Sequence, residues 1–134
     1  MHKILLGSNI AAAAGESDEE VAVSACISPG DERSLLPAQP VRVIAAALGE
    51  AVRNSVRHAG PAATRSVLID AGPGRLDVRV VDDGCGFDPD VVAQNRLGVS
   101  VSIRARMNQL SGGTADVRSV PGSGTMVSLS WREQ

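Results

Sequence analysis

The stretch Val80-Val81-Asp82-Asp83-Gly84-Cys85-Gly86-Phe87 constrains this chain more than any other. Val78, Val80 and Val81 lead into two carboxylates and then two glycines one residue apart. A strand that ends this way lets its backbone approach something closely. An Asp-Gly pair alone reads as a hairpin turn. Here Phe87, Asp88, Pro89 and Asp90 follow in place of a second alternating strand, so the loop reads as ligand-facing.

The residues available to surround that strand narrow the options further. At 134 residues the chain has the length of one domain with a single core. Phe87 and Trp131 are its only aromatic residues, so the core is built from Val, Leu, Ile and Ala. Aromatic platforms for single-stranded nucleic acid are excluded by the same scarcity. A net charge of −2 without a basic run argues against duplex DNA or an anionic membrane surface as the partner. Lys3 is the only lysine. A Walker loop, a protein-kinase strand lysine and Schiff-base chemistry each need one placed in the fold, and none can be built here. Cys26 and Cys85 lie far apart and the histidines are His2 and His58 alone, which supports neither a zinc site nor a disulfide framework. A reducing, cytoplasmic setting is expected, and no apolar run of about 18 residues marks a membrane span.

Residues 1–20 read as a flexible leader or linker, and residues 21–132 as the domain. Val21 to Ile27 alternates like a strand. Ser28 to Pro40, with three prolines, a glycine and several charges, reads as a loop. From Val41 to Ala59, the positions Val41, Ile44, Leu48, Ala51, Val52, Ser55 and Ala59 form one apolar helical stripe, and Gly60-Pro61 stops the helix. Glu50, Asn54, Arg57 and His58 follow helical spacing on an adjacent face. On a generic helix such a face is simply solvated, but Asn is a poor choice for a helix interior unless it has a separate role. Ser66 to Asp70 and Leu76 to Val81 read as strands about a Gly-Pro-Gly turn. Gly98 opens a second helix marked by Val99, Ile103, Met107 and Leu110 and ended by Gly112-Gly113. Thr114 to Val120 and Thr125 to Trp131 form a closing hairpin. The expected fold is α+β: a two-layer sandwich with a mixed, mostly antiparallel sheet covered by helices on one face.

A nucleotide accounts for the polar helix face, the Asp-x-Gly-x-Gly loop and the helix-opening glycine together. A carboxylate in an apolar slot accepts a hydrogen bond from an adenine amino group. Free N–H groups at a helix start suit phosphates, an Asn oxygen suits Mg²⁺, and Arg57 with His58 offers positive charge to phosphate oxygens.

These motifs resemble the GHKL superfamily of Bergerat-fold ATP-binding domains, which includes gyrase, heat-shock-90 chaperones, MutL and histidine kinases. Glu50 through Ala59, reading EAVRNSVRHA, resembles the family's N box. Asp82 through Phe87 resembles the first glycine box, with Asp82 in the adenine-binding place and Gly84 and Gly86 as its glycines. Arg96-Leu97-Gly98-Val99 resembles the second, although Arg96 stands where that box often opens with glycine. Gly122-Ser123-Gly124-Thr125 resembles the closing strand whose threonine sits beside the adenine aspartate. The Arg-His-Ala ending and short lid are similar to sensor histidine kinases paired with helix-turn-helix response regulators.

The resemblance implies a catalytic domain that binds ATP and Mg²⁺ and transfers the γ-phosphoryl group to a histidine on a separate dimerisation domain, serving a response regulator indirectly. It implies Glu50 and Asn54 as catalytic, Asn54 as the metal ligand, and Arg57, His58, Asp82, Gly84, Gly86, Arg96, Gly98, Val99 and Thr125 as nucleotide contacts. Neither histidine lies in a dimerisation helix, so the phosphoacceptor is expected on another part of a larger kinase, the chain forming a cytoplasmic domain or the cytoplasmic end of a membrane-bound sensor. The alternative is a stand-alone serine kinase of the anti-sigma-factor type. A third reading, a binding domain that has lost nucleotide, is encouraged by Arg96 alone.

Overall fold

The computed structural model describes residues 3–5, 22–27, 35–60, 62–86 and 94–134, with side chains described in 37–60, 62–86 and 100–134. Seven strands and two long helices appear among them, in the order β1 (Lys3–Leu5), β2 (Ala22–Ile27), β3 (Leu35–Pro37), α1 (Ala38–His58), β4 (Arg65–Gly72), β5 (Arg75–Asp82), α2 (Gln94–Asn108), β6 (Gly113–Val120) and β7 (Gly124–Arg132). Five strands make one sheet in the order β2-β4-β5-β7-β6. β2 runs parallel to β4 and every other pairing in that sheet is antiparallel. The expected α+β sandwich, with a mixed and mostly antiparallel sheet, is the fold observed.

One sheet face is aliphatic because alternate positions along each strand point the same way. Val67 and Ile69, then Leu76, Val78 and Val80, then Val127, Leu129 and Trp131 turn inward and are buried. Against them lie Val41, Ile44, Ala47, Leu48, Ala51 and Val52 of α1, joined by Ile103 and Met107 of α2 and by Leu110 just beyond it. α1 shows a clear apolar stripe with Arg42 and Arg53 outside it, which is why a 21-residue helix holds to the sheet.

Several boundaries differ from the sequence reading for definable reasons. α1 begins at Ala38, ahead of the expected Val41, although Pro40 lies in its first turn. The N–H groups of that turn have no helical partner in any case, so a proline is tolerated there. α2 begins at Gln94, so Gly98 is its fifth residue and does not open it. At the other end α2 stops at Asn108. Leu110 N–H donates to the Met107 carbonyl at 3.1 Å, and Gly113 N–H to the Leu110 carbonyl at 2.8 Å, so tight turns bring the buried Leu110 back to the core. Lys3–Leu5, inside the expected leader, pairs antiparallel with Leu35–Pro37 as a separate two-stranded sheet. The rest of the leader and Phe87 lie outside the described residues. Among the described residues no helix is long and apolar enough to cross a membrane.

Candidate functional site

Asp82 is the last residue of β5, a central strand, and is buried with 7% of its surface exposed. A buried carboxylate needs donors, and two different elements supply them. Ser55 Oγ, on α1, donates to Oδ2 at 2.8 Å, and the Gly84 backbone N–H donates to Oδ1 at 3.0 Å. Arg65 Nε, at the start of β4, donates to Ser55 Oγ at 3.1 Å. Each carboxylate oxygen has two acceptor positions, so Asp82 can accept further hydrogen bonds.

Asp82 opens onto a cleft of about 360 Å³ of atom-free space, solvent at its mouth included. Ala51, Ala59, Val80 and Val127 give it apolar walls, while Asn54, His58, Gly86 and Thr125 complete the lining. A flat heterocycle fits the chemistry of apolar walls closed by an acceptor. Asn54 Oδ1 is buried in the wall without a hydrogen-bond partner. Buried amide oxygens are nearly always paired, so this one marks a place where a further group belongs.

The glycine loop is stitched to three neighbours. Cys85 N–H donates to the Ala59 carbonyl at 3.0 Å, the Cys85 thiol lies 3.1 Å from the His58 carbonyl, and Gly122 N–H donates to the Cys85 carbonyl at 2.8 Å. Gly86 adopts a φ of 60°, and a Cβ there would collide with the Val120 carbonyl oxygen. Its lack of a side chain lets the loop fold against the β6–β7 turn and still line the cleft. Asp83 points the other way, accepting from the Thr64 backbone N–H at 2.7 Å and from its hydroxyl at 2.8 Å. These hydrogen bonds, the backbone one foremost, hold its carboxyl below the usual carboxylate range.

The residues that the sequence grouped on one polar helix face divide three ways. Asn54 and His58 line the cleft. Glu50 turns toward α2, where its Oε2 accepts from Ser102 Oγ and Arg106 Nε, each at 3.3 Å. Arg57 is exposed and does not border the cleft. Thr125 sits directly across from Asp82 in the β5–β7 register, its hydroxyl 2.8 Å from Ser119 Oγ. Gly84 contributes its N–H to Asp82. Gly98 lies within the helix as its fifth residue, so its N–H is not one of the free donors at the helix start. The side chains of Arg96 and Val99 lie outside the described residues.

Two polar residues of the site escaped the sequence reading. By spacing, Ser55 falls in the apolar stripe of α1, and Arg65 carries no motif, standing just ahead of the strand read from Ser66. A serine on an apolar stripe is the signal that was available, since a buried hydroxyl needs a partner.

Residues 40–134 match the model of the histidine kinase-, DNA gyrase B- and HSP90-like ATPase family. The chain belongs to that family. This ATPase-type, ATP-binding domain matches no curated protein sequence. Among solved structures, the family fold recurs in the histidine kinase domain of the Erythrobacter litoralis EL346 blue-light activated histidine kinase. The identity there is 25% and the TM-score 0.67, covering 96% of this chain and 61% of that one. A longer structure of the same kinase aligns at 22% identity and a TM-score of 0.72, covering 96% of this chain and 42% of that one. The catalytic domain of histidine kinase ThkA aligns at 14% identity and a TM-score of 0.73, covering 98% and 95% respectively. The chain thus spans less than two thirds of the Erythrobacter structures it resembles, and nearly all of the isolated ThkA domain.

Proposed function

We propose that the chain is the catalytic domain of a sensor histidine kinase that binds ATP with Mg²⁺. In that reading Asp82 accepts the adenine amino group, and Val80, Val127, Ala51 and Ala59 pack on the base. Asn54 provides the protein oxygen for the metal, and His58 stands on the phosphate side. The observation that carries the reading is the buried, unpartnered Oδ1 of Asn54 in the same cleft wall as Asp82. Among the described residues no three His, Cys, Asp or Glu side chains gather as a metal site. A hard cation held by one amide would take its remaining oxygens from phosphates and water, as Mg²⁺ commonly does. When bound, Mg²⁺ would neutralise charge on the phosphate oxygens.

In the proposed reaction an imidazole nitrogen of the acceptor domain attacks the γ-phosphorus, the bond to the β–γ bridging oxygen breaks, and ADP leaves. Such transfer depends mainly on positioning and charge, so Asp82 and Asn54 would contribute by holding the two ends of the nucleotide. The Arg57-His58-Ala59 ending of the N-box-like segment and the 25% identity to a histidine kinase domain favour this over a serine kinase of the anti-sigma type, which shares the fold.

Calorimetric titration with a non-hydrolysable ATP analogue, with and without Mg²⁺, tests the assignment. Asp82→Ala should weaken binding by about tenfold or more in both conditions, since a hydrogen bond to a charged group contributes about 1.5–3 kcal/mol. Asn54→Ala should remove the gain due to Mg²⁺ while sparing adenosine. Unchanged affinity in Asp82→Ala would remove that residue from the base site.

A further inference from the structure

Asp82 is one member of a chain of three buried polar side chains, with Ser55 6%, Arg65 8% and Asp82 7% exposed. The directions of its hydrogen bonds are fixed by chemistry. Arginine Nε–H can only donate, so Ser55 Oγ is the acceptor in the 3.1 Å contact with Arg65. The single hydroxyl hydrogen of Ser55 is then committed to Asp82 Oδ2 at 2.8 Å. Gly84 N–H holds the other carboxylate oxygen, Oδ1, at 3.0 Å. The terminal torsion of an aspartate is broad, so without such anchors the carboxylate plane would wander.

We infer that Ser55 and Arg65 are positioning residues that orient Asp82 and set the preference of the site for an amino-bearing purine over an oxo-bearing one. The inference rests on the proposed base contact at Asp82. With a donor already directed at each oxygen, the lone pairs left over face the cleft as acceptors. A 6-amino group satisfies them, whereas a 6-oxo group sets acceptor against acceptor and leaves buried polar atoms unpaired. The placement follows from topology. Arg65 and Asp82 are directly opposite in the β4–β5 register, and α1 crosses that end of the sheet with Ser55 facing it. Ser55 also follows Asn54 directly in α1, so one helix turn carries the proposed metal-holding amide and the group that orients the base-reading acid.

The test is the ratio of affinities for ATP and inosine triphosphate, measured on the whole chain by competition with a fluorescent nucleotide. The wild-type protein should prefer ATP. Ser55→Ala should weaken ATP binding by about tenfold, the scale of one hydrogen bond to a charged group, and weaken inosine triphosphate far less, so that the ratio narrows. Arg65→Met, which keeps the stem and removes the donor, should narrow it in the same direction. The ratio between affinities with and without Mg²⁺ should stay at its wild-type value in both variants. Alanine is a better helix former than serine, so Ser55→Ala keeps α1 intact and decides the matter even if Arg65→Met does not fold. Equal loss for both nucleotides in Ser55→Ala would reduce the role to structural support and overturn the inference. A wild-type protein indifferent to the base, or an Asp82→Asn variant with an unaltered ratio, would instead overturn the base contact on which it rests.

Discussion

Single residues at this site are constrained mainly by what lies within a van der Waals radius. Gly124 opens β7 with a φ of 95°, and a Cβ built on it would strike the carbonyl oxygen of Asp82. Positive φ disfavours any other residue by about 1–2 kcal/mol, and forced overpacking commonly adds about 1–3 kcal/mol. Gly124→Ala should therefore lower stability by at least ~2 kcal/mol in urea denaturation and weaken nucleotide binding beyond that, because the strain falls on Asp82 itself. A variant with wild-type stability would mean that β7 can shift away from β5 without penalty. Ser55 shows the opposite case, where one small polar atom in an apolar stripe has a definite partner and can be found only once that partner is in view.

Between elements, the contact of α1 with α2 combines a buried aliphatic part and a partly exposed ionic part. Ile103 and Met107 are fully buried against the core, whereas the Arg106 side chain that meets Glu50 is 51% exposed. Exposed ion pairs contribute about 0–1 kcal/mol, and truncating a buried isoleucine to alanine removes about 2–5 kcal/mol. Chemical denaturation should separate the two, with Ile103→Ala strongly destabilising and Arg106→Ala close to neutral. A large effect of Arg106→Ala would show that the Glu50 contact with Ser102 and Arg106 acts as a network. Glu50 was expected from the resemblance to serve the chemistry directly. In this arrangement its carboxylate is engaged by α2, so any role in catalysis would be exercised from that contact.

Across the whole molecule, the open face and the end of the sheet carry carboxylates that stabilise it in a pH-dependent way. Burial pushes the carboxyl of Asp77 up, but Ser130 Oγ at 2.7 Å, the two Arg132 nitrogens at 3.1 Å and the charge of Arg75 outweigh it and hold the group below its ordinary value of 3.8. Asp83, held by Thr64, is lowered as well. A carboxyl with a lowered folded pKa stabilises the fold above its ordinary pKa, and that contribution is lost as pH falls through the folded value. Denaturation midpoints should be flat near neutrality and fall below about pH 4, with the fall shallower in Asp77→Asn. A midpoint that rises on acidification would contradict the sign of both shifts.

Much of this organisation was legible in the sequence because it is written in local periodicity and turn chemistry. The stripe from Val41 to Val52 dictates a helix with one buried face, and the β-branched run within Leu76 to Val81 dictates a strand. Acids followed by Gly-x-Gly dictate that the strand ends in a close approach. These depend on residues near one another in the chain, which is why the strand, helix and glycine-loop order could be read directly. Sequence periodicity could not say that Glu50 would turn to α2 while Asn54, one helical turn later, would be left in the cleft wall with its oxygen unpaired. It could not say that a serine among alanines and valines would meet an arginine ten residues on and an aspartate twenty-seven residues on. Those partners are brought together only when α1 packs across the strand ends, since hydrogen bonds between distant residues depend on register and helix placement, and neither is encoded within any single segment.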